Sequence, residues 1–501
     1  MRSSRFRRIG VAAVATIALL TVASVASGEP VGDAVSTFSY SQNMHPQGYS
    51  ARVVPLDNAV AGQGRFNSDL AFWGQTAIQG TYNGFRIIDV SSPANPTELI
   101  NYENCVGDQG DVLVWSNLLI RSWNSPASAT ASCGGQLVGA GFEGLHVFDI
   151  SNPTAPVLVK AIRMSASTVP TGCGSHTATL VPDVARGNVY VYNSASSGAC
   201  PGIDIVKIPL ADPAGAQFLR REPAGRSCHD TGVILGEVNL VGCAGGNGFT
   251  VFSVDPSIAP PAAGSLEDPV QLYSRSVAGV SVAHSASFTW DGEVLIFGHE
   301  PGGGSAARCQ ETSSTTDRSI FFFEARTGTL LGTFINPRPQ SNLENCTWHN
   351  YNIVPSDKRY VFVSGNYQSG ISVVDFTNPA NASEVAYADP APLVDPNPPV
   401  GIELGGDWST YWYNGRIYES DITRGLLVWN LGDNTVAGAA RLDHLNPQTQ
   451  ETSIPFKGTA FGRQRAADQQ GLVIFGGFVP GNEDDTADQD GDDFGDHDDG
   501  L

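Results

Sequence analysis

Apolar residues in this chain come in short runs, rich in Val, Ile, Phe and Tyr and closed by polar turns. One phrase recurs: Gly84-Phe-Arg-Ile-Ile-Asp89-Val-Ser-Ser-Pro93, Gly144-Leu-His-Val-Phe-Asp149-Ile-Ser-Asn-Pro153 and Gly370-Ile-Ser-Val-Val-Asp375-Phe-Thr-Asn-Pro379. A weaker copy starts at Gly425, and degenerate ones at Gly202, Gly248 and Arg318. β-Branched and aromatic runs of this length predict strands, and the flanking Gly, Asn and Pro predict turns. Successive starts lie 60, 58, 46, 70, 52 and 55 residues apart, a period that belongs to propellers and arrays.

Each phrase has three further strand candidates around it. One set runs Thr177–Val181, Asn188–Tyr192, Ile203–Ile208 and Gln217–Arg221, its first turn supplied by Pro182-Asp183 and Arg186-Gly187. Four strands repeated seven times predict an all-β fold, a seven-bladed β-propeller with four antiparallel strands per blade. The expected organisation is an export signal over 1–28, an N-terminal extension over 29–60, the propeller over 61–480 and an acidic tail over 481–501.

The phrase resembles the LVIVD repeat, named for its apolar core closed by Asp and followed by Ser/Thr-x-Pro. The copies at 84–93, 144–153 and 370–379 carry the resemblance, and the others share its rhythm. The resemblance implies an extracellular or surface propeller. It implies no single activity, because the same fold hosts many functions.

Composition agrees with a large β domain. The chain has 501 residues, 56 Gly and 31 Pro, too many of both for long helices, and 23 Phe, 14 Tyr and 8 Trp to build a core. With 28 Lys and Arg against 50 Asp and Glu, the net charge is −22, which repels phosphate backbones and disfavours nucleic acid. Arg2, Arg5, Arg7 and Arg8 precede an apolar stretch from Val11 to Val25 and small residues at 26–28, the pattern of a cleaved secretory signal. That stretch is short for a membrane span and no second one follows, so a secreted, extracellular, monomeric protein is expected.

Eight cysteines in an exported chain suggest four disulfides, and none forms a C-x-x-C pair. Blade geometry favours Cys105–Cys133, Cys173–Cys200, Cys228–Cys243 and Cys309–Cys346, all expected to rim one mouth of the channel.

Four of the nine histidines share a register. His176, His229, His284 and His349 each open the first strand of a blade, four residues before an apolar residue. Asp407 takes this position in the last blade, Asn67 or Asp69 in the first and Gly110 or Asp111 in the second. Innermost strands line a propeller's channel, so imidazoles from consecutive blades should form an arc able to hold iron, copper or zinc. Asp230 and Asp407 could orient the rings through their second nitrogens. Two other readings stand beside this one, a polar ligand-binding mouth without metal and structural hydrogen bonds between blades. His299, Glu300, Trp123, Trp348, Tyr367, Glu419 and Asp421 are expected near the same mouth. Aromatics with carboxylates there would suit a carbohydrate, another small molecule or a protein ligand. His146 and His444 read as surface or packing residues.

No Gly-x-Ser-x-Gly elbow and no phosphate-binding or dinucleotide fingerprint occurs, which disfavours an ordinary serine hydrolase or nucleotide enzyme. From Glu483, ten acids fall within 17 residues. Asp488, Asp490, Asp492, Asp496 and Asp499 alternate around Gly491 as oxygen ligands for Ca²⁺ do, and the stretch is similar to one thrombospondin type 3 calcium repeat. A disordered solvating tail is the alternative. The leading expectation is a secreted binding propeller, with a metal-dependent iron or copper oxidoreductase and a structural surface or matrix protein as the competing classes.

Overall fold

The computed structural model describes residues 31–53, 66–164, 174–195, 200–223, 226–304, 306–393 and 404–458. Seven four-stranded antiparallel blades succeed one another around a channel, as the repeat period predicts. Their inner strands are Asn67–Trp73, Val112–Trp115, Ala178–Asp183, Asp230–Ile234, Ala283–Phe288, Asn350–Ile353 and Asp407–Tyr413. The recurring phrase is the third strand each time, as in Gly84–Asp89, Gly144–Asp149 and Ile371–Asp375. Its opening glycine has a steric cause. A Cβ on Gly144 would stand 2.0 Å from the Ile162 carbonyl of the outer strand, and one on Gly84 would stand 1.8 Å from that of Tyr102.

The outer two strands of every blade slip register at one place, between the two residues that precede the phrase's closing polar residue. The seven slips fall at Ile87/Ile88, Val147/Phe148, Ile205/Val206, Val251/Phe252, Phe322/Phe323, Val373/Val374 and opposite Val428/Trp429. A bulge adds local right-handed twist, which a blade needs to turn its face against its neighbour. The core lies in those faces. Leu113, Ile120 and Val147 of blade two, for instance, pack with Leu180, Val191 and Val206 of blade three.

Two segments depart from the expected domain limits. Met44–Ala51, placed in an N-terminal extension by the sequence reading, is the outer strand of blade seven and pairs with Gly425–Leu431. First and last parts of the chain thus complete one blade, which closes the ring. Ser39–Tyr40 adds to the outer edge of blade six. At the other end, residues 444–450 belong to no blade. His444–Leu445 pairs with the inner strand of blade one, and Thr449–Gln450 runs parallel to that of blade four. This strap crosses the channel beside the last residues of the inner strands. Its Asn446 exchanges two hydrogen bonds with Val114 of blade two, and Thr449 Oγ1 donates to the Leu180 carbonyl of blade three.

Disulfides join Cys105–Cys133, Cys228–Cys243 and Cys309–Cys346, as expected. Cys173 of the fourth expected pair lies outside the described residues, as do the signal segment and the whole acidic tail with Asp488, Asp490, Asp492, Asp496 and Asp499. No helix among the described residues is long and apolar enough to cross a membrane.

Candidate functional site

The four aligned histidines meet in the channel. Ring centroids are 4.6 Å apart for His176 and His229, 4.2 Å for His229 and His284, and 4.1 Å for His284 and His349. Backbone contacts between blades set this spacing. Ser122 Oγ donates to the His176 carbonyl, Thr177 Oγ1 to that of His229, and Ser285 Oγ to that of His349. Hydroxyls from the preceding blades therefore pin the backbones of His176, His229 and His349, and those rings are not needed for that task.

The second ring nitrogens fix the tautomers. His349 Nδ1 lies 2.6 Å from the Trp408 carbonyl, which can only accept, so Nδ1 carries the proton. Ser285 Oγ commits its single hydrogen to the His349 carbonyl at 2.7 Å, so His284 Nδ1 must donate to it across 2.6 Å. His176 Nδ1 donates to Asn124 Oδ1 at 2.8 Å. Three rings thereby keep an unprotonated Nε2, the arrangement that metal-binding imidazoles use. His229 Nδ1 meets no hydrogen-bond partner among the described residues. The Nε2 atoms of His176 and His229 are hydrogen-bonded at 3.0 Å, with His229 Nε2 donating because the His176 proton is on Nδ1. Two imidazoles on one tetrahedral or octahedral ion, each ~2.0–2.1 Å from it, stand ~2.9–3.4 Å apart.

Burial keeps the rings neutral. It lowers His176 to about 4 and His349 to about 3, and it takes His229 and His284 well below the usual imidazole range. Between the rings lies a cavity of about 10 Å³, room for one water-sized sphere. Asp69, Asp111 and Asp230 line it from the first, second and fourth blades, with Asn350 and Trp408. Desolvation is the main cause that raises Asp69 to about 6 and Asp111 and Asp230 well above the carboxylate range, and for the latter two the neighbouring acid charges add to it. Gln448 of the strap donates to Asn350 Oδ1, which ties the strap to the wall of the same cavity.

Not every expected residue reaches the site. Glu300 does: its Oε1 accepts from Tyr367 at 2.8 Å and its Oε2 is 3.8 Å from His284 Nε2. His229, His284 and Glu300 offer ligand atoms that all lie within 4.8 Å of one another. The four histidines form a continuous arc, while this tighter group contains two of them. Asp230 orients no ring directly: its Oδ2 lies 3.2 Å from Ser285 Oγ, and it is that hydroxyl that contacts His284 Nδ1. Asp407 turns into blade seven towards Thr410 and Glu419, because a bulge after it places Trp408 on the cavity instead. His299 spans loops of blade five, between Thr316 and Ser281. Trp123 and Trp348 are core residues, packed edge to face against Phe142 and against Phe334 and Phe362. Glu419 binds Trp429, and Asp421 caps a turn and pairs with Arg424. Of the expected aromatics only Tyr367 reaches the mouth, where it and Trp408 pack on His349.

Sequence reasoning missed Trp408, Asn124 and Ser285. The residue after each aligned His was a readable signal for one of them, because Thr177, Asp230, Ser285 and Asn350 share that register. Asn124 sits in a loop after a second strand, and nothing in the pattern marks it.

Fold and site together define an all-β, seven-bladed propeller with a polar, histidine-lined channel mouth. Residues 78–104 and 138–163 match the LVIVD repeat, in agreement with the phrases read at 84–93 and 144–153. None of the curated proteins compared with the chain matches it significantly. Among solved structures, the chain is similar to the Dos1 propeller, at 12% identity and TM-score 0.45, over 83% of this chain and 85% of that one. A protein from Lactobacillus plantarum matches at 11% identity and TM-score 0.45, over 78% and 97% of the two chains. A putative 6-phosphogluconolactonase from Bacteroides uniformis matches at 10% identity and TM-score 0.43, over 71% and 89%.

Proposed function

We propose that the protein is an exported propeller that binds a small extracellular ligand at its channel mouth through a transition metal held by imidazoles of blades three to six. One observation carries this reading. Neutral rings of His176, His229, His284 and His349 line one small cavity of about 10 Å³, and three of them have the proton placed on Nδ1 by a fixed partner. Blade-to-blade hydroxyls already hold the backbones of His176, His229 and His349, so the rings are free to turn their Nε2 atoms towards one another and, from His284, towards Glu300. Iron, copper and zinc all suit imidazole. The leader at 1–28 and the disulfides support export.

Protein produced without a His tag and loaded with iron, copper or zinc is expected to retain one equivalent after dialysis. His229→Ala and His284→Ala should each lower affinity at least tenfold while the unfolding midpoint stays high enough for a folded domain. Failure of the loaded wild-type protein to retain any of these metals would end the proposal.

A second reading has its own support. His229, His284 and Glu300 make a set of two imidazoles and one carboxylate. Such a triad leaves coordination positions open and suits non-haem Fe(II) enzymes of the oxygenase class. Iron selectivity together with loss of iron in Glu300→Gln would favour the oxidoreductase, and unchanged metal retention in that variant would favour the binding protein.

A further inference from the structure

The third residue of each phrase points to one side of the blade, and where it is polar it finds a partner. Arg86 pairs with Glu98, Asp204 with Arg221, Thr250 with Ser274, and Ser372 with Arg338. Blade two is the exception. His146 is fully buried between Trp123 and Phe142, and neither ring nitrogen has a hydrogen-bond partner among the described residues. What it faces is the Cys105–Cys133 bridge, with both sulfurs and a ring nitrogen all within 4.8 Å of one another. Burial and the Arg121 charge hold the ring neutral, so it presents a lone pair.

Buried polar atoms without partners are rare in native proteins and ask for a reason. Two thiolates and an imidazole are the donor set that zinc-class cations prefer. Both cysteines are buried, so a reductant reaches the bridge when the hairpin that carries Cys133 opens. Cys133 lies on a hairpin with two-residue arms, Ser132–Cys133 and Gln136–Leu137, whose Leu137 is 73% exposed. So small a hairpin belongs to the least stable end of the local-opening scale.

We propose that Cys105, Cys133 and His146 form a redox-gated metal site, closed to metal while the disulfide stands and able to hold one zinc-class divalent cation once it is reduced. A dithiol reductant supplies two electrons and two protons to the S–S bond, giving two thiols and leaving the reductant as its own disulfide. The incoming cation then displaces both thiol protons and is held by two thiolates and a ring nitrogen, with two protons released to solvent. The site is separate from the channel histidines and does not depend on their role.

Co²⁺ is the probe, because cobalt bound by thiolates absorbs in the near ultraviolet and imidazole-bound cobalt in the channel does not. Full-length protein is titrated with Co²⁺ before and after treatment with a phosphine that opens disulfides without binding the metal. The expected result is a thiolate band of one equivalent in the reduced protein alone. Cys105→Ser combined with Cys133→Ser should abolish it, and His146→Phe, which keeps an aromatic ring against Trp123, should weaken binding tenfold or more. The proposal is overturned if the reduced wild-type protein shows no band, or if the double Ser variant keeps it, since other cysteines would then hold the ion. An unchanged affinity in His146→Phe would overturn the role of the imidazole. The wild-type comparison before and after reduction involves no substitution, so a misfolded variant cannot decide the outcome.

Discussion

Asp407 and Glu419 share a buried corner of blade seven, with Asp421 and Arg424 nearby. Desolvation is the leading cause that raises Asp407 well above the carboxylate range and Glu419 to about 7. Two carboxyls so close are most stable with one proton between them. A group whose folded value is raised binds its proton more tightly folded than unfolded. Its stabilisation is complete below the unfolded value near 4.5 and is lost as pH rises towards about 7. Glu419→Gln, which keeps a donor for Asp407 but cannot ionise, should flatten this dependence. Urea unfolding of both proteins between pH 5 and 7 is expected to show a difference with a slope of about 1 kcal/mol per pH unit, levelling off above that. A difference that does not change with pH would refute the shared proton. Neither acid's environment was legible in sequence, because both lie on strands whose pattern shows only which face is buried.

At the scale of the element, the phrase explains itself once the blade is seen. Its glycine clears the neighbouring carbonyl, its apolar residues fill the faces between blades, and the step just before its closing polar residue carries the bulge. Gly144→Ala should therefore destabilise by more than about 1 kcal/mol, read as a lower urea midpoint, because the Cβ would meet backbone rather than a flexible side chain. Cys228→Ser with Cys243→Ser opens a loop of 15 residues, for which chain entropy predicts about 3 kcal/mol. The strand at 44–51 was not legible. It contains Pro46 and Gly48, which normally argue against a strand and are tolerated because this one lies on the blade's edge, with its register slip between them.

For the whole molecule, closure of the ring rests on that same strand. Deleting residues up to 52 would strip Met44 and Tyr49 from the core of blade seven. The expected loss is about 3–6 kcal/mol in urea unfolding, from two large apolar side chains. The strap at 444–450 is a second closure, across the channel. Ending the chain before Leu442 should leave the amides of Val114, Val233 and Leu235 without their partners in Asn446, Gln448 and Gln450. Faster hydrogen exchange at those three amides, compared with the outer strands, is the expected reading. Unchanged protection would mean that the strap contributes nothing to the inner strands.

Local pattern was enough to establish the all-β class, the sevenfold period, three disulfide pairs and the shared register of four histidines. Each of these depends on residues near in sequence or on the repetition of one short phrase. Other features were settled only by the closed ring. They include Glu300 drawn to His284, Asp407 turned from the channel, Trp408 brought onto His349, and His146 set against Cys105 and Cys133. The physical reason is that register along a strand is a local property. Which side chain meets which across blades depends on bulges, loop paths and the angle between sheets, and no short stretch of sequence carries those.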